Sequence, residues 1–89
     1  MPLSHPRDVA CRFLFEAARA YPDIYPRPVD ARELDDRDRR LAEAIVRSAL
    51  TRWTTLQALL QHALDRPWKE LDDRVQGALL AGAAQLFLL

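Results

Sequence analysis

The chain has 89 residues, a length that corresponds to one domain, and its 13 basic and 13 acidic side chains cancel. Apolar residues make up 49% and charged residues 29%, which excludes a disordered acidic tail and a histone-like polycation. A single cysteine, Cys11, cannot form an internal disulfide, and the N-terminus shows no uninterrupted apolar stretch of the kind found in signal peptides. These features predict a cytoplasmic protein.

Arginine dominates the basic residues, since Lys69 is the only lysine among the 13 basic side chains. A GC-rich genome produces this bias, and so does selection for phosphate contacts, which the planar guanidinium group makes well. Because the net charge is zero, any RNA site has to be a local patch rather than a generally basic surface.

The first helix is predicted from Pro6 to about Ala20, with Ser4 or His5 as its N-cap. One face of this helix is apolar, with members three or four residues apart: Ala10, Phe13, Leu14, Ala17 and Ala20. The prolines between residues 21 and 30 then predict a stiff loop, ordered by Ile24, Tyr25 and Val29 packing back onto the fold.

The next apolar pattern runs without a break from Leu41 to Leu64, and its start at residues 35–38 is acidic, as suits a helix N-terminus. A single helix of this length would project from so small a domain. We therefore expect two helices, at about 36–51 and 54–65, with Thr54 as a possible cap of the second.

The last helix is predicted to begin near residues 71–73 and to carry no charge from Val75 to Leu89. Fifteen residues are too few for a helix that spans a membrane, which needs about 20. We expect a central helix surrounded by others, with small residues, among them Gly77 and Gly82, that let a neighbouring helix come close. The missing stop signal at Leu89 suggests a domain truncated at its C-terminus, or a homodimer formed through the 75–89 helix.

No arrangement of residues indicates catalysis. Cys11 has no predicted basic neighbour, and His5 and His62 lack the spacing of a zinc site. Nucleotide-binding and nucleophile motifs are missing from the sequence as well. The acidic residues between Asp30 and Asp38 alternate with arginines, which favours a salt-bridged helix start over a metal site. We therefore expect no catalytic residue, no cofactor and no metal in this segment.

The exposed face of the first helix is the candidate binding surface. Arg12 and Arg19 share that face with Phe15, and Arg7 lies beside the helix N-terminus, where free N–H groups also favour phosphate. These side chains have the chemistry to hold a single-stranded RNA backbone and to stack a base. The alternative is an ordinary solvated face, with an Arg12–Glu16 pair and Phe15 packed against the third helix.

Residues 6–15 combine an arginine, small residues and a Leu-aromatic pair, and residues 34–41 begin the next helix with acidic residues and arginines between two leucines. In their pattern and order, these segments resemble the first helix and the start of the next helix of the NusB superfamily, which consists of small all-helical RNA-binding domains. The resemblance covers essentially residues 1–89. The resemblance implies an all-α, compact NusB-like helical bundle that binds RNA. It carries Arg7 over by position, whereas Arg12, Arg19 and Phe15 come from the helical face.

Residues 56–68 and 75–86, including Arg66-Pro67-Trp68 and Gly82-x-x-Gln85-Leu86, resemble one branch of the superfamily. That branch is the N-terminal domain of 16S rRNA cytosine-C5 methyltransferases. It usually has glycine where Ser48 stands and an aromatic residue where Ala84 stands. The resemblance implies rRNA as the partner and a methyltransferase catalytic domain in the same chain, with the catalytic cysteines and the S-adenosylmethionine site in that separate domain.

Two other functions stay open at this point. A transcription antitermination factor of the same superfamily would bind RNA together with a ribosomal protein. A protein–protein docking module with this fold would bind a catalytic domain or a second copy and would not contact RNA.

Overall fold

The computed structural model describes residues 5–25 and 27–89, and within them it contains four α-helices and no strand. The helices are α1 (Pro6–Ala20), α2 (Asp36–Thr51), α3 (Trp53–His62) and α4 (Asp73–Leu88), and a short 3-10 turn, Trp68–Glu70, precedes α4. The radius of gyration is 12.7 Å and the principal extents are 38 × 26 × 23 Å. The predicted all-α class and compact helical bundle are confirmed.

Helix α1 begins and ends where the sequence predicts. The His5 imidazole accepts a hydrogen bond from the Arg7 backbone N–H at 3.1 Å, and Pro6 takes the first helical position, where a missing N–H costs nothing. The alternative cap, Ser4, lies outside the described residues. The predicted apolar face is buried from Ala10 to Ala17, whereas Ala20 is exposed.

The loop between α1 and α2 packs onto the fold through some of the predicted residues. Ile24 and Val29 are partly buried against the core, and Ala31 is buried. Tyr25 is 78% exposed, so its predicted packing is wrong. Pro26, one of the loop prolines, is outside the described residues.

The predicted division of the long apolar pattern into two helices is confirmed, and α2 has the predicted bounds, but α3 begins one residue earlier than predicted and ends at His62 rather than at residue 65. Asp35 caps α2 by accepting the Asp38 N–H at 2.8 Å. Arg52 alone separates α2 from α3, and it makes no side-chain cap. Thr54 lies inside α3 and is therefore not its cap, because Trp53 is already helical and buried, which sets the start of α3 by packing.

Two glutamines connect α3, the 3-10 turn and α4. The Gln61 side chain accepts the Trp68 N–H at 2.7 Å and donates to the Arg66 carbonyl at 2.9 Å. Gln76, which is buried, donates to the Trp68 carbonyl at 3.0 Å and to the Leu71 carbonyl at 3.3 Å. These bonds satisfy backbone groups that the irregular segment leaves free, and they hold Trp68 in the core.

Helix α4 packs antiparallel to α1, since Arg7 contacts Gln85 while Gly77 contacts Phe15. A Cβ atom added at Gly77 would lie 2.6 Å from the Phe15 backbone nitrogen. The predicted close approach of a helix is thus confirmed at Gly77. At Gly82, by contrast, an added Cβ atom would meet nothing within 4 Å among the described residues.

The expectation that α4 is surrounded on all sides is wrong for the described residues. Its buried side consists of Gln76, Gly77, Leu80, Ala81, Ala83 and Ala84. Val75 and the four residues from Leu86 to Leu89 are exposed, with Leu86 at 76%. Because α1, α2 and α3 all lie on the same side of α4, its other side stays uncovered although it is apolar.

Candidate nucleic-acid interface

The predicted binding residues lie on the α1 surface that the bundle leaves open. Arg12 and Arg19 are exposed on the side opposite the buried residues Ala10 and Ala17. Phe15 is half-buried at the edge of this side, where α1 meets α4. The structure therefore brings Arg12, Phe15 and Arg19 onto one face. We call these three residues the α1 face.

Arg7 occupies a different place, at the N-terminal end of the α1–α4 contact. Its Nε atom donates to the Gln85 side-chain oxygen at 2.5 Å, and the side chain is exposed. Gln85 in turn donates to the Ala81 carbonyl, so it is held on α4. Since Gln85 is neutral, the Arg7 charge stays uncompensated by this contact and remains available to an anion.

Phe15 lies close to two guanidinium groups. The Arg19 Cζ atom is 5.8 Å from the ring centroid and the Arg74 Cζ atom is 5.5 Å from it. Both distances are within the range of cation–π attraction. The predicted alternative of Phe15 against α3 is wrong, because the ring and backbone of Phe15 adjoin the start of α4.

Arg74 is the cation that the sequence analysis did not include. It lies in the first turn of α4, where a positive charge opposes the helix dipole. Asp72 caps that turn by accepting the Arg74 N–H at 2.8 Å, and Asp73 adds a second negative charge. An arginine in the first turn of a helix is electrostatically unfavourable, and this unusual placement of Arg74 can be seen in the sequence alone.

The predicted Arg12–Glu16 pair is not formed, because Glu16 has a different partner. The Glu16 carboxylate binds the Arg27 guanidinium at 2.6 Å, and Arg27 also lies 4.5 Å from the Phe13 ring centroid. Arg27 lies within the proline-rich loop and reaches back to α1. This long-range pair neutralises Glu16 and leaves the arginines of the α1 face without an acidic partner on their own helix.

Arg12 has one acidic neighbour in the loop. Hydrogen bonding and charge from Arg32 lower the pKa of Asp30, and the charge of Arg12 lowers that pKa further. Arg32 binds Asp30 at 2.9 Å, whereas Arg12 forms no ion pair with a residue in the described ranges. Asp30 is thus already paired with Arg32, and the charge of Asp30 is only partly available to Arg12.

The acidic segment forms the salt-bridged helix start that the sequence predicted. Besides the Asp30–Arg32 pair, Asp36 binds Arg39 at 3.0 Å, and Asp35 caps α2. Within residues 5–25 and 27–89, no group of three His, Cys, Asp or Glu side chains is arranged to hold a metal ion. These carboxylates are engaged in local pairs and caps.

Cys11 lies on α1, where it is half-buried and packs against the core. Burial raises the pKa of its thiol, and the neighbouring Asp8 charge raises it further. Both effects favour the neutral thiol over the nucleophilic thiolate. The geometry of Cys11 is that of a packed side chain.

A search of curated proteins and a search of solved structures each found no significant match. In the described part of the chain, no helix combines the length and apolar character needed to cross a membrane. A family model described as the NusB family matches residues 4–89. The chain therefore belongs to the NusB family, which implies an RNA-binding domain of the antitermination type.

Proposed function

We propose that this domain binds single-stranded RNA through Arg7 and the α1 face. One observation carries the proposal: Arg7, Arg12 and Arg19 are all exposed, and none of them forms an ion pair with a carboxylate of the described residues. Helix α1 carries these three arginines against Asp8 and Glu16, and Glu16 is bound by Arg27, so the surface of the helix has a local excess of positive charge in a chain with no net charge. Guanidinium groups bind phosphate through a planar set of donors, so this surface suits an RNA backbone.

Direct binding measurements test the proposal. We expect Arg7→Ala and Arg12→Ala to weaken binding to a short oligo(U) strand, and log affinity to fall with log salt by about 0.7 per phosphate contacted. Arg40→Ala is the matched control, because Arg40 is an exposed helical arginine on α2 with no ion pair among the described residues. Circular dichroism checks folding. A loss of helicity in Arg7→Ala or Arg12→Ala, or an equal loss of affinity in all three variants, would remove those arginines from the site.

For the biological role, we propose that the domain helps a 16S rRNA cytosine-C5 methyltransferase engage its rRNA substrate. The resemblance of residues 56–68 and 75–86 to that branch supports this role. In this proposal the segment itself has no catalytic residue and binds no cofactor, and methyl transfer takes place on a separate domain in the cytoplasm. Sequencing the gene beyond codon 89 tests it, since a Rossmann-like domain with paired cysteines is then expected.

A transcription antitermination factor is the second candidate, and family membership favours it as directly. Such a factor would bind RNA together with a ribosomal protein. A pull-down with purified ribosomal proteins separates the two candidates, because only the antitermination factor is expected to retain one of them at stoichiometric level.

A homodimer or docking module through residues 75–89 is the third candidate, and the uncovered apolar side of α4 favours it. Val75 is 46% exposed and Leu86 is 76% exposed. Sedimentation at several protein concentrations tests it. Self-association without any salt-dependent RNA binding would replace the RNA proposal with this one.

A further inference from the structure

We propose that Phe15, Arg19 and Arg74 form one phosphate-binding clamp that joins α1 to α4, in which the ring positions the two guanidinium groups. This inference rests on the RNA-binding function proposed above and extends it to a residue on α4. Its basis is the geometry: guanidinium carbons from two different helices lie 5.8 Å and 5.5 Å from one ring centroid.

The contact between α1 and α4 fixes the positions of these groups. Gly77 allows the α4 backbone to approach the Phe15 backbone so closely that a Cβ atom would overlap with it. Arg74 is three residues before Gly77, about one helical turn away, and its own N–H is bound by the Asp72 cap. The Arg74 side chain thus starts from a backbone that is held next to Phe15.

The two arginines of the clamp, Arg19 and Arg74, have no ion-pair partner in the described ranges, although Asp72 and Asp73 precede Arg74 in the chain. The ring attracts each cation through its quadrupole, but the two like charges repel one another. An anion between or beside them removes that repulsion, and a phosphate of RNA is the anion that the proposed function supplies.

The geometry favours a role for Phe15 in placing the arginines rather than in stacking a base. The ring is half-buried and two guanidinium groups already lie over it, so a base would have to displace one of them. A guanidinium that stacks on a ring keeps its N–H donors free at the edge, and these donors bind phosphate oxygens. In the proposed clamp, these donors of Arg19 and Arg74 bind the phosphate while both guanidinium groups stay against the ring.

The first test measures how binding to a short oligo(U) strand depends on salt. Arg74→Gln is expected to reduce the slope of log affinity against log salt by about 0.7, one single-strand phosphate contact. Between about 50 and 200 mM salt, the wild type should then lose roughly 2.6-fold more affinity than the variant. Arg40→Gln, the control on α2, is expected to keep the wild-type slope. An Arg74→Gln slope equal to that of the wild type would overturn the clamp.

The second test separates placing from stacking. Phe15→Leu keeps an apolar side chain and both arginines, so we expect it to weaken binding by the same factor for oligo(U) and for a sugar–phosphate strand without bases. A loss confined to the strand with bases would show stacking and overturn the positioning role. Circular dichroism of Phe15→Leu confirms that the helices are intact.

The two proposals fail in different ways. If the wild-type domain does not bind oligo(U) at any salt concentration, both the RNA function and the clamp are wrong. If the wild type binds with the expected salt dependence and Arg74→Gln behaves like Arg40→Gln, only the clamp is wrong.

Discussion

Gly77 and Gly82 form a natural pair for testing how closely α1 and α4 are packed. Both are interior residues of α4, so replacing either with alanine brings the same gain in helix propensity, about 0.5–1 kcal/mol. They differ in surroundings. An alanine Cβ at position 77 would lie 2.6 Å and 2.9 Å from the Phe15 backbone N and Cα atoms, whereas at position 82 it would meet nothing within 4 Å among the described residues.

Because backbone atoms cannot rotate away as a side chain can, Gly77→Ala forces α1 and α4 apart. Overpacking of this kind costs about 1–3 kcal/mol. Gly82→Ala carries only the propensity gain. We therefore expect Gly77→Ala to be less stable than Gly82→Ala by about 2 kcal/mol, equivalent to a gap of roughly 8–16 °C in Tm for a domain of this size.

Urea denaturation followed by helical circular dichroism measures this difference, with thermal melts as a second measurement. The slopes of the two denaturation curves should agree, since both variants expose the same surface on unfolding. Equal midpoints for Gly77→Ala and Gly82→Ala would show that α1 and α4 are not in contact at Phe15. Arg74 would then not be held next to Phe15 either.

Three further outcomes are expected. Gln76→Leu should lower the free energy of unfolding by about 1–3 kcal/mol, because it leaves the Trp68 and Leu71 carbonyls without their hydrogen-bond donor. Urea denaturation measures this change, and a variant as stable as the wild type would contradict the prediction. Asp35→Ala should cost about 0.5–2 kcal/mol through the lost cap on the Asp38 N–H, whereas Asp35→Asn, which keeps an acceptor, should cost less in the same assay. Cys11 should react with iodoacetamide at mildly alkaline pH more slowly than a free thiol, and Asp8→Asn should speed the reaction, because burial and then the Asp8 charge raise the pKa of the thiol. The raised thiol pKa of Cys11 also stabilises the fold at pH values below the ordinary thiol pKa, and this contribution is lost as the pH rises through the raised value. Alkylation of Cys11 faster than that of a free thiol would contradict the predicted direction of the pKa shift.

The sequence by itself determined the helices and most of their ends. Pro6 after a capping residue, the acidic start at residues 35–38 and the spacing of apolar residues are local signals, and local signals decide helix boundaries. They also identified the exposed face with Arg12 and Arg19. The start of α3 was predicted one residue too late, with Thr54 as its cap, because the burial of Trp53, a tertiary contact, sets where this helix begins.

Only the tertiary structure decided which side chains meet. Periodicity shows which face of a helix is apolar, but it does not show which element covers that face or at what register two helices pack. Glu16 could have bound Arg12 on its own helix, yet it binds Arg27 from the loop. Arg74 is 59 residues from Phe15 along the chain, and the missing side chain of Gly77 lets α4 approach closely enough to bring them together. The exposed side of α4 is likewise a consequence of where α1, α2 and α3 pack, which an apolar composition alone does not reveal.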